Sequence, residues 1–241
     1  MFAQSYNERL FRPGLVGRYH IQRFIWLRDK ISALGFESIS VLEVGCYDAR
    51  SIDYIPVPIR RYVGLDAGWE SGIIGGKVCG LEAARQRFAQ NKNYSFYQSA
   101  NPKDLANIEE KFDVIVCMDT LECIKDSLIE PYVSAIASRL AGFLLITTGN
   151  EKGLPLLCKT LGSRLLGVNR NFSYTASEFV NALLGRMNRV PDSRRKGFDY
   201  SRLAEVLKRY FCYVRVEGIN IIKVPVQLSL GVGMIASDKP V

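Results

Sequence analysis

The 241-residue sequence contains a single histidine, and its six cysteines include no C-x-x-C pair. Zinc sites need clustered cysteine and histidine ligands, so we expect no zinc centre and predict no metal. No apolar run approaches the roughly 20 residues that cross a bilayer, and the first residues lack the apolar core of a secretory signal. Because most of the cysteines lie in apolar segments, we predict buried free thiols and a cytoplasmic location.

Two common nucleotide-binding patterns are also missing. The dinucleotide fingerprint G-x-G-x-x-G would need glycine at positions 47 and 50, which hold Tyr47 and Arg50. No G-x-x-x-x-G-K-[S/T] phosphate loop occurs either. With 48% hydrophobic and 11% aromatic residues, the chain still predicts a folded globular protein rather than a disordered one.

Alternating strand-like and helix-like segments fill the middle of the chain. Short apolar segments predict buried parallel strands at 40–45, 62–65, 94–97, 112–118 and 143–148. Helices are predicted at 18–34, 81–90, 102–108, 127–140 and 201–210, and late strands at 212–216 and 227–236. This order predicts an α/β fold with a doubly wound, mostly parallel, seven-stranded sheet.

The chain is predicted to form one domain, 1–241, with four parts. A helical N-terminal lid at 1–36 precedes a ligand-binding half at 37–150. A basic helical cap at 151–198 is inserted before a C-terminal helix and strands at 199–241. The net charge of +8 is concentrated in the lid and the cap: residues 1–30 and 159–196 hold six and eight basic residues, with two acids each.

The most informative segment is VLEVGCYDAR at 41–50. A buried strand ends in Glu43 and Gly45, and the next strand, YVGLD at 62–66, ends in Asp66. Glycine lets a ligand approach the backbone closely, and an acid at a strand end can accept hydrogen bonds from ribose hydroxyls. Both positions lie at the carboxyl edge of adjacent parallel strands, where open α/β sheets bind ligands.

These features resemble the class I S-adenosylmethionine-dependent methyltransferases, in particular small-molecule O-methyltransferases of ubiquinone-biosynthesis and polysaccharide type. Their first motif is acid-x-Gly-x-Gly-x-Gly, in which Glu43 and Gly45 match but Tyr47 and Ala49 replace two glycines. The segments FDVIVCMDTLECI at 112–124 and LLITTGNE at 144–151 are similar to the fourth and fifth strands of that family. Cys123 stands where the family often has histidine.

The resemblance implies S-adenosylmethionine as the cofactor and assigns its contacts to Glu43, Gly45, Cys46, Tyr47, Asp66, Ala67, Asn101 and Met118. Alternative interpretations remain for several of these residues. Glu43 could instead cap the turn, and Asp66 could cap a helix. Asn101 could simply open a turn before Pro102.

Asp119 and His20 are the candidate catalytic residues, and Asn150 is the candidate substrate contact. Asp119 could act as a general base or orient the acceptor, or it could cap the next helix. His20, the only imidazole, could equally be a surface or packing residue. Methyl transfer needs little acid–base help, because alignment of nucleophile, methyl group and sulfur can suffice.

The sequence therefore predicts a methyltransferase acting on oxygen of a small-molecule or glycan acceptor. The basic lid and cap could form a positive wall around an anionic acceptor, or they could be ordinary solvated surfaces. A nucleic-acid methyltransferase is the first alternative, but no N-P-P-Y or D-P-P-Y sequence follows the fourth strand. A non-catalytic relative is the second, because Tyr47 and Ala49 replace glycines in the cofactor turn.

Overall fold

The computed structural model describes residues 5–165, 174–193 and 195–240. The helices are α1 (Tyr6–Leu10), α2 (Leu15–Ala33), α3 (Gly80–Arg87), α4 (Pro102–Ala106), α5 (Asp126–Arg139), α6 (Gly153–Leu165), α7 (Ala176–Leu183) and α8 (Tyr200–Leu207). The strands are β1 (Ile39–Val44), β2 (Ile59–Asp66), β3 (Gly72–Ile74), β4 (Lys77–Cys79), β5 (Tyr94–Gln98), β6 (Phe112–Met118), β7 (Leu140–Gly149), β8 (Tyr213–Ile219) and β9 (Gly231–Ser237). No helix in these described ranges is both long and apolar enough to cross a membrane.

Seven strands form one sheet in the order β5-β2-β1-β6-β7-β9-β8. The first five in this order run parallel, whereas β9 pairs antiparallel with both β7 and β8. The predicted mostly parallel, seven-stranded α/β sheet is therefore confirmed. Because β2, β1 and β6 are parallel neighbours, the turns that follow Asp66, Val44 and Met118 lie together at one edge of the sheet.

Apolar residues cover both faces of the sheet. On one face, α5 and α8 pack on the central strands through residues such as Val133 and Leu203. On the other face, α2 packs through Trp26, Leu27 and Ile31. An added Cβ at Gly233 in β9 would lie 2.5 Å from the indole ring of Trp26, so this glycine makes room for α2. The long α2 helix is thereby fixed against the sheet.

The structure corrects several details of the sequence interpretation. The lid contains two helices, α1 and α2, rather than one. A small hairpin, β3–β4, was not predicted, although Gly75 and Gly76 with positive φ are typical of its tight turn. The last strand starts at Gly231 instead of 227, after a short 3-10 turn. The predicted cap includes residues 166–173 and 194, which lie outside the described residues.

The cysteines are also only partly as predicted. All six are free thiols, but three are buried and three are exposed: Cys46, Cys79 and Cys117, and Cys123, Cys158 and Cys212, respectively.

Candidate functional site

The turn after β1 keeps the backbone shape of a glycine-rich motif without two of its glycines. Gly45 has φ +79°, and a side chain there would overlap that of Thr120 from the turn after β6. Tyr47 and Ala49 also have left-handed φ values, +49° and +55°. This conformation costs a residue with a Cβ atom about 1–2 kcal/mol. The chain therefore maintains the turn against backbone strain at both substituted positions.

Asp66 at the end of β2 organises this turn. One carboxylate oxygen accepts the Tyr47 N–H at 2.9 Å, and the other accepts the Gly68 N–H at 2.7 Å. The residue is 5% exposed. Each carboxylate oxygen can accept a second hydrogen bond, so Asp66 keeps the capacity to bind ribose hydroxyls. Ala67 is exposed beside it, and its carbonyl accepts a bond from the Gln98 carboxamide at 3.2 Å.

Glu43 lies behind the turn and does not cap its backbone N–H groups in the contacts observed. The hydroxyls of Ser51 and Tyr62 both donate to its Oε2 atom. Burial raises the pKa of Glu43 to about 7, although these two hydrogen bonds oppose the shift. Cys46 is buried next to it, and burial raises the pKa of its thiol as well. Glu43 in β1 is thus linked to β2 through Tyr62 and to the segment after the turn through Ser51.

Two of the predicted cofactor contacts, Asn101 and Met118, have contrasting surroundings. Asn101 is exposed and caps α4, because its Oδ1 atom accepts the Lys103 N–H at 3.0 Å. Its acceptor atom is therefore used by the helix, as the turn interpretation allowed. Met118 is 9% exposed at the end of β6 and packs in the core under α2. Contacts of either residue with the cofactor stay predictions.

Asp119 is partly buried and forms an ion pair with the buried Arg23 of α2, and it does not cap a helix. Its backbone is left-handed, with φ +51°, and the Thr147 hydroxyl donates to its Oδ1 atom at 2.9 Å. Burial favours the neutral acid most strongly, but the Arg23 and Arg195 guanidiniums and the Thr147 hydrogen bond together outweigh it and hold the pKa of Asp119 well below its usual range. Such a carboxylate is a weak proton acceptor, so the geometry favours an orienting role.

His20 lies one turn before Arg23 on α2. Burial, followed by the nearby Arg23 charge, lowers the pKa of His20 to about 3. Its ring contacts those of Phe11 and Tyr19, at centroid distances of 6.4 and 5.0 Å. The imidazole is therefore neutral at pH 7 and packed among aromatic rings. Its predicted catalytic role remains untested, but the low pKa makes it a weak base here.

Asn150 is fully buried at the end of β7. Its carboxamide nitrogen donates to the carbonyls of Val226 and Gln227, both at 3.4 Å, and its backbone N–H donates to the Leu230 carbonyl at 3.0 Å. These bonds attach β7 to the segment that precedes β9. As placed, Asn150 presents no surface to an acceptor, so the predicted substrate contact has no support from this geometry.

The sequence analysis missed the partners of the buried charges. Besides Arg23 with Asp119, Arg195 of the cap pairs with buried Glu122 at 2.7 Å, and Lys159 pairs with Glu151 at 3.0 Å. Three cations of the predicted positive wall are thus paired with acids at the sheet edge. No local pattern marks these pairs, because each joins residues from separate elements.

Comparison with known proteins connects this geometry to a family. The family described as "Methyltransferase domain" matches residues 18–193. Ubiquinone biosynthesis O-methyltransferase from Bartonella tribocorum is 26% identical over 126 residues, 52% of this chain and 47% of that protein. The same enzyme from Mesorhizobium japonicum is 25% identical over 168 residues, covering 65% and 60%. The chain therefore spans less than two thirds of these curated relatives.

Solved structures share the fold at low identity. Magnesium protoporphyrin IX methyltransferase from Synechocystis PCC 6803, with bound SAH, has a TM-score of 0.56 at 16% identity and covers 95% of this chain and 92% of its own. An S-adenosylmethionine-dependent methyltransferase from Clostridium acetobutylicum has a TM-score of 0.57 at 15% identity, with 97% and 96% covered. With the family match over most of its length, the chain belongs to the class I S-adenosylmethionine-dependent methyltransferases.

Proposed function

We propose that this protein methylates an oxygen atom of a small, hydroxyl-bearing acceptor. The observation that carries the proposal is the contact between two turns at one sheet edge. The cofactor turn at Gly45 packs directly against Thr120, the neighbour of the partly buried Asp119 carboxylate. A methyl donor held by the first turn would therefore lie beside a fixed hydrogen-bond acceptor. The choice of oxygen is supported by the names of the curated relatives.

The residues fit S-adenosylmethionine in shape and in donor chemistry. The turn at 45–49 has the backbone that close approach requires, and Asp66 supplies ribose-binding capacity. When bound, the cofactor supplies a methyl group on a positively charged sulfur, which needs no further activation. The remaining task of the protein is to place the acceptor oxygen in line and to exclude water.

Asp119 is suited to orient the acceptor hydroxyl. Arg23 and Thr147 fix its two carboxylate oxygens, and its lowered pKa keeps it ionised. An acceptor hydroxyl can donate a hydrogen bond to this carboxylate, which aims an oxygen lone pair toward the methyl group. Because the carboxylate is a weak base, we expect the proton to leave to solvent after transfer rather than to stay on Asp119.

The acceptor is proposed to be uncharged around the reacting hydroxyl. The cations Arg23, Arg195 and Lys159 are each paired with an acid, so this edge carries little net charge. An anionic group would have to compete with those acids for the same cations. A glycan or phenolic hydroxyl meets no such competition, whereas a phosphorylated or uronic-acid acceptor requires the pairs to open.

Cofactor binding is tested by calorimetric titration with S-adenosylhomocysteine. We expect micromolar affinity, about 8 kcal/mol, and at least a ten-fold loss in Asp66→Asn, which keeps the shape but removes the charge. Asp53→Asn is the matched control, because Asp53 is an exposed acid that pairs with Arg87. If the wild-type protein gives no heat, the chain is a non-catalytic relative, and the proposal fails.

Acceptor chemistry is tested with methyl-labelled S-adenosylmethionine and three acceptor sets: phenols, neutral sugars and uronic-acid sugars. Mass spectrometry of the products would identify an added methyl ether. Faster methylation of phenols or neutral sugars than of uronic-acid sugars supports the proposal. Methyl transfer only to uronic-acid sugars, or to a carbon atom of any acceptor, would contradict it.

A further inference from the structure

Tyr47 occupies the second glycine position of the cofactor turn, with a strained left-handed backbone. Its side chain points to partners outside the turn. The hydroxyl donates to Oε2 of Glu70 at 3.2 Å, and the ring lies 6.2 Å from that of Trp69. A residue kept at a strained position often serves a purpose that glycine could not. The contacts of Tyr47 indicate what that purpose is.

The same partners hold helix α1. The Glu70 carboxylate accepts the backbone N–H of Tyr6 at 2.8 Å and pairs with Arg9 at 2.8 Å. The Tyr6 ring meets the Tyr47 ring edge-on at 5.2 Å and the Trp69 ring at 5.7 Å. Three aromatic rings and one carboxylate therefore join the cofactor turn to the first helix. We call this set, Tyr6, Tyr47, Trp69 and Glu70, the aromatic dock.

The dock also reaches the acceptor side of the site. The Tyr6 hydroxyl lies close to the guanidinium of Arg23, which in turn pairs with Asp119. Tyr6 thus contacts Tyr47 of the cofactor turn through its ring and Glu70 through its backbone N–H, and its hydroxyl lies beside the Arg23–Asp119 pair. A second link is independent of Tyr47, because the Asn7 carboxamide donates to Asp48 in the turn itself. Helix α1 consequently bridges the two halves of the site.

We propose that Tyr47 is a positioning residue that docks α1 on the cofactor turn, so that cofactor binding and the placement of Tyr6 beside Arg23 are coupled. This inference rests on the proposed function only for the identity of the cofactor. A glycine at position 47 would relieve the strain of the turn but would provide no ring for Tyr6 and no hydroxyl for Glu70. A tyrosine in place of the family glycine therefore adds local backbone strain but orders the N-terminal lid.

The experiment is hydrogen–deuterium exchange on wild type, Tyr47→Gly and Tyr47→Phe, each with and without S-adenosylhomocysteine. In Tyr47→Gly, we expect the peptide that covers residues 5–12 to exchange at least ten-fold faster, while β1 and β2 keep their protection. Tyr47→Phe keeps the ring and should retain most of the protection. Tyr97→Gly is the matched control, because Tyr97 is an exposed tyrosine at the end of β5.

Exchange measured with ligand distinguishes a docking role of Tyr47 from a direct contact of Tyr47 with the cofactor. In wild type, S-adenosylhomocysteine should slow exchange in residues 5–12, and Tyr47→Gly should lose this slowing. Because coupling is reciprocal, the affinity of Tyr47→Gly should fall by no more than the factor by which the ligand slows this exchange in wild type. Unchanged exchange of that peptide in ligand-free Tyr47→Gly would overturn the inference. So would equal slowing in both proteins, or a ten-fold loss of affinity with an undisturbed α1. If wild type binds no ligand, the proposed function fails, but ligand-free exchange still decides whether Tyr47 docks α1.

Discussion

Single residues at this site combine burial with charge, and Asp119 is the clearest case. Asp119→Asn would leave the Arg23 guanidinium buried without a counter-charge, which costs about 3–5 kcal/mol. We expect urea unfolding to show this loss and the double variant Arg23→Gln/Asp119→Asn to recover most of it. Methyl transfer should stay impaired in the double variant, because the acceptor hydroxyl still lacks its ionised partner. If the double variant recovered both stability and methyl transfer, the Arg23–Asp119 pair would have a structural role alone.

Glu43 offers a second prediction at the residue scale. Its pKa is about 7 in the folded protein and 4.5 as an ordinary side chain. Between these values the folded state retains a proton that the unfolded state releases, so its contribution to stability falls by about 3 kcal/mol as pH rises from 4.5 to 7. Glu43→Gln cannot ionise and should lack this decline when urea midpoints at pH 5 and pH 8 are compared. An unchanged pH dependence would contradict the assignment.

At the scale of elements, helix α2 is attached to the sheet through Trp26 and Gly233. An alanine Cβ at position 233 would lie 2.5–2.8 Å from three indole atoms. We expect Gly233→Ala to lower the free energy of unfolding by about 1–3 kcal/mol, because Trp26 must move. Gly162→Ala in α6 is the control. It has no atom within 4 Å of the added Cβ and should raise stability by up to about 1 kcal/mol.

At the scale of the whole molecule, two groups with shifted pKa values, His20 and Glu43, have opposite effects on the pH dependence of stability. The pKa of His20 is lowered from 6.5 to about 3, so between these pH values the unfolded state binds a proton that the folded state does not bind. This contribution is present above pH 6.5 and is lost as pH falls toward 3, whereas that of Glu43 has the opposite sign. Between pH 4.5 and 6.5 the two slopes, about 1.4 kcal/mol per pH unit each, should cancel.

Single variants would reveal the cancellation. Relative to wild type, the stability of Glu43→Gln should rise with pH between 4.5 and 6.5, and that of His20→Gln should fall. Both trends in stability can be measured by urea unfolding at half-unit pH intervals. Variant curves parallel to the wild-type curve would mean that neither group titrates as its burial requires.

The sequence alone predicted the sheet, the cofactor turn and Asp66, since these depend on local patterns. Apolar segments of strand length identify β1, β2, β5, β6 and β7, and a glycine or acid at a strand end marks the binding edge. The β3–β4 hairpin was missed because its strands are only three residues long, although the Gly75-Gly76 turn was visible.

Only the tertiary structure decided which charges and rings meet. Arg23 and Asp119 lie 96 positions apart, and Tyr6 and Glu70 lie 64 apart, so no local pattern could pair them. The topology also buried Asn150 under the segment before β9 and surrounded His20 with aromatic rings. The sequence determined where the candidate site lies, because strand ends are local features. Tertiary packing determined what each side chain can do there, because burial and partners set its charge and orientation.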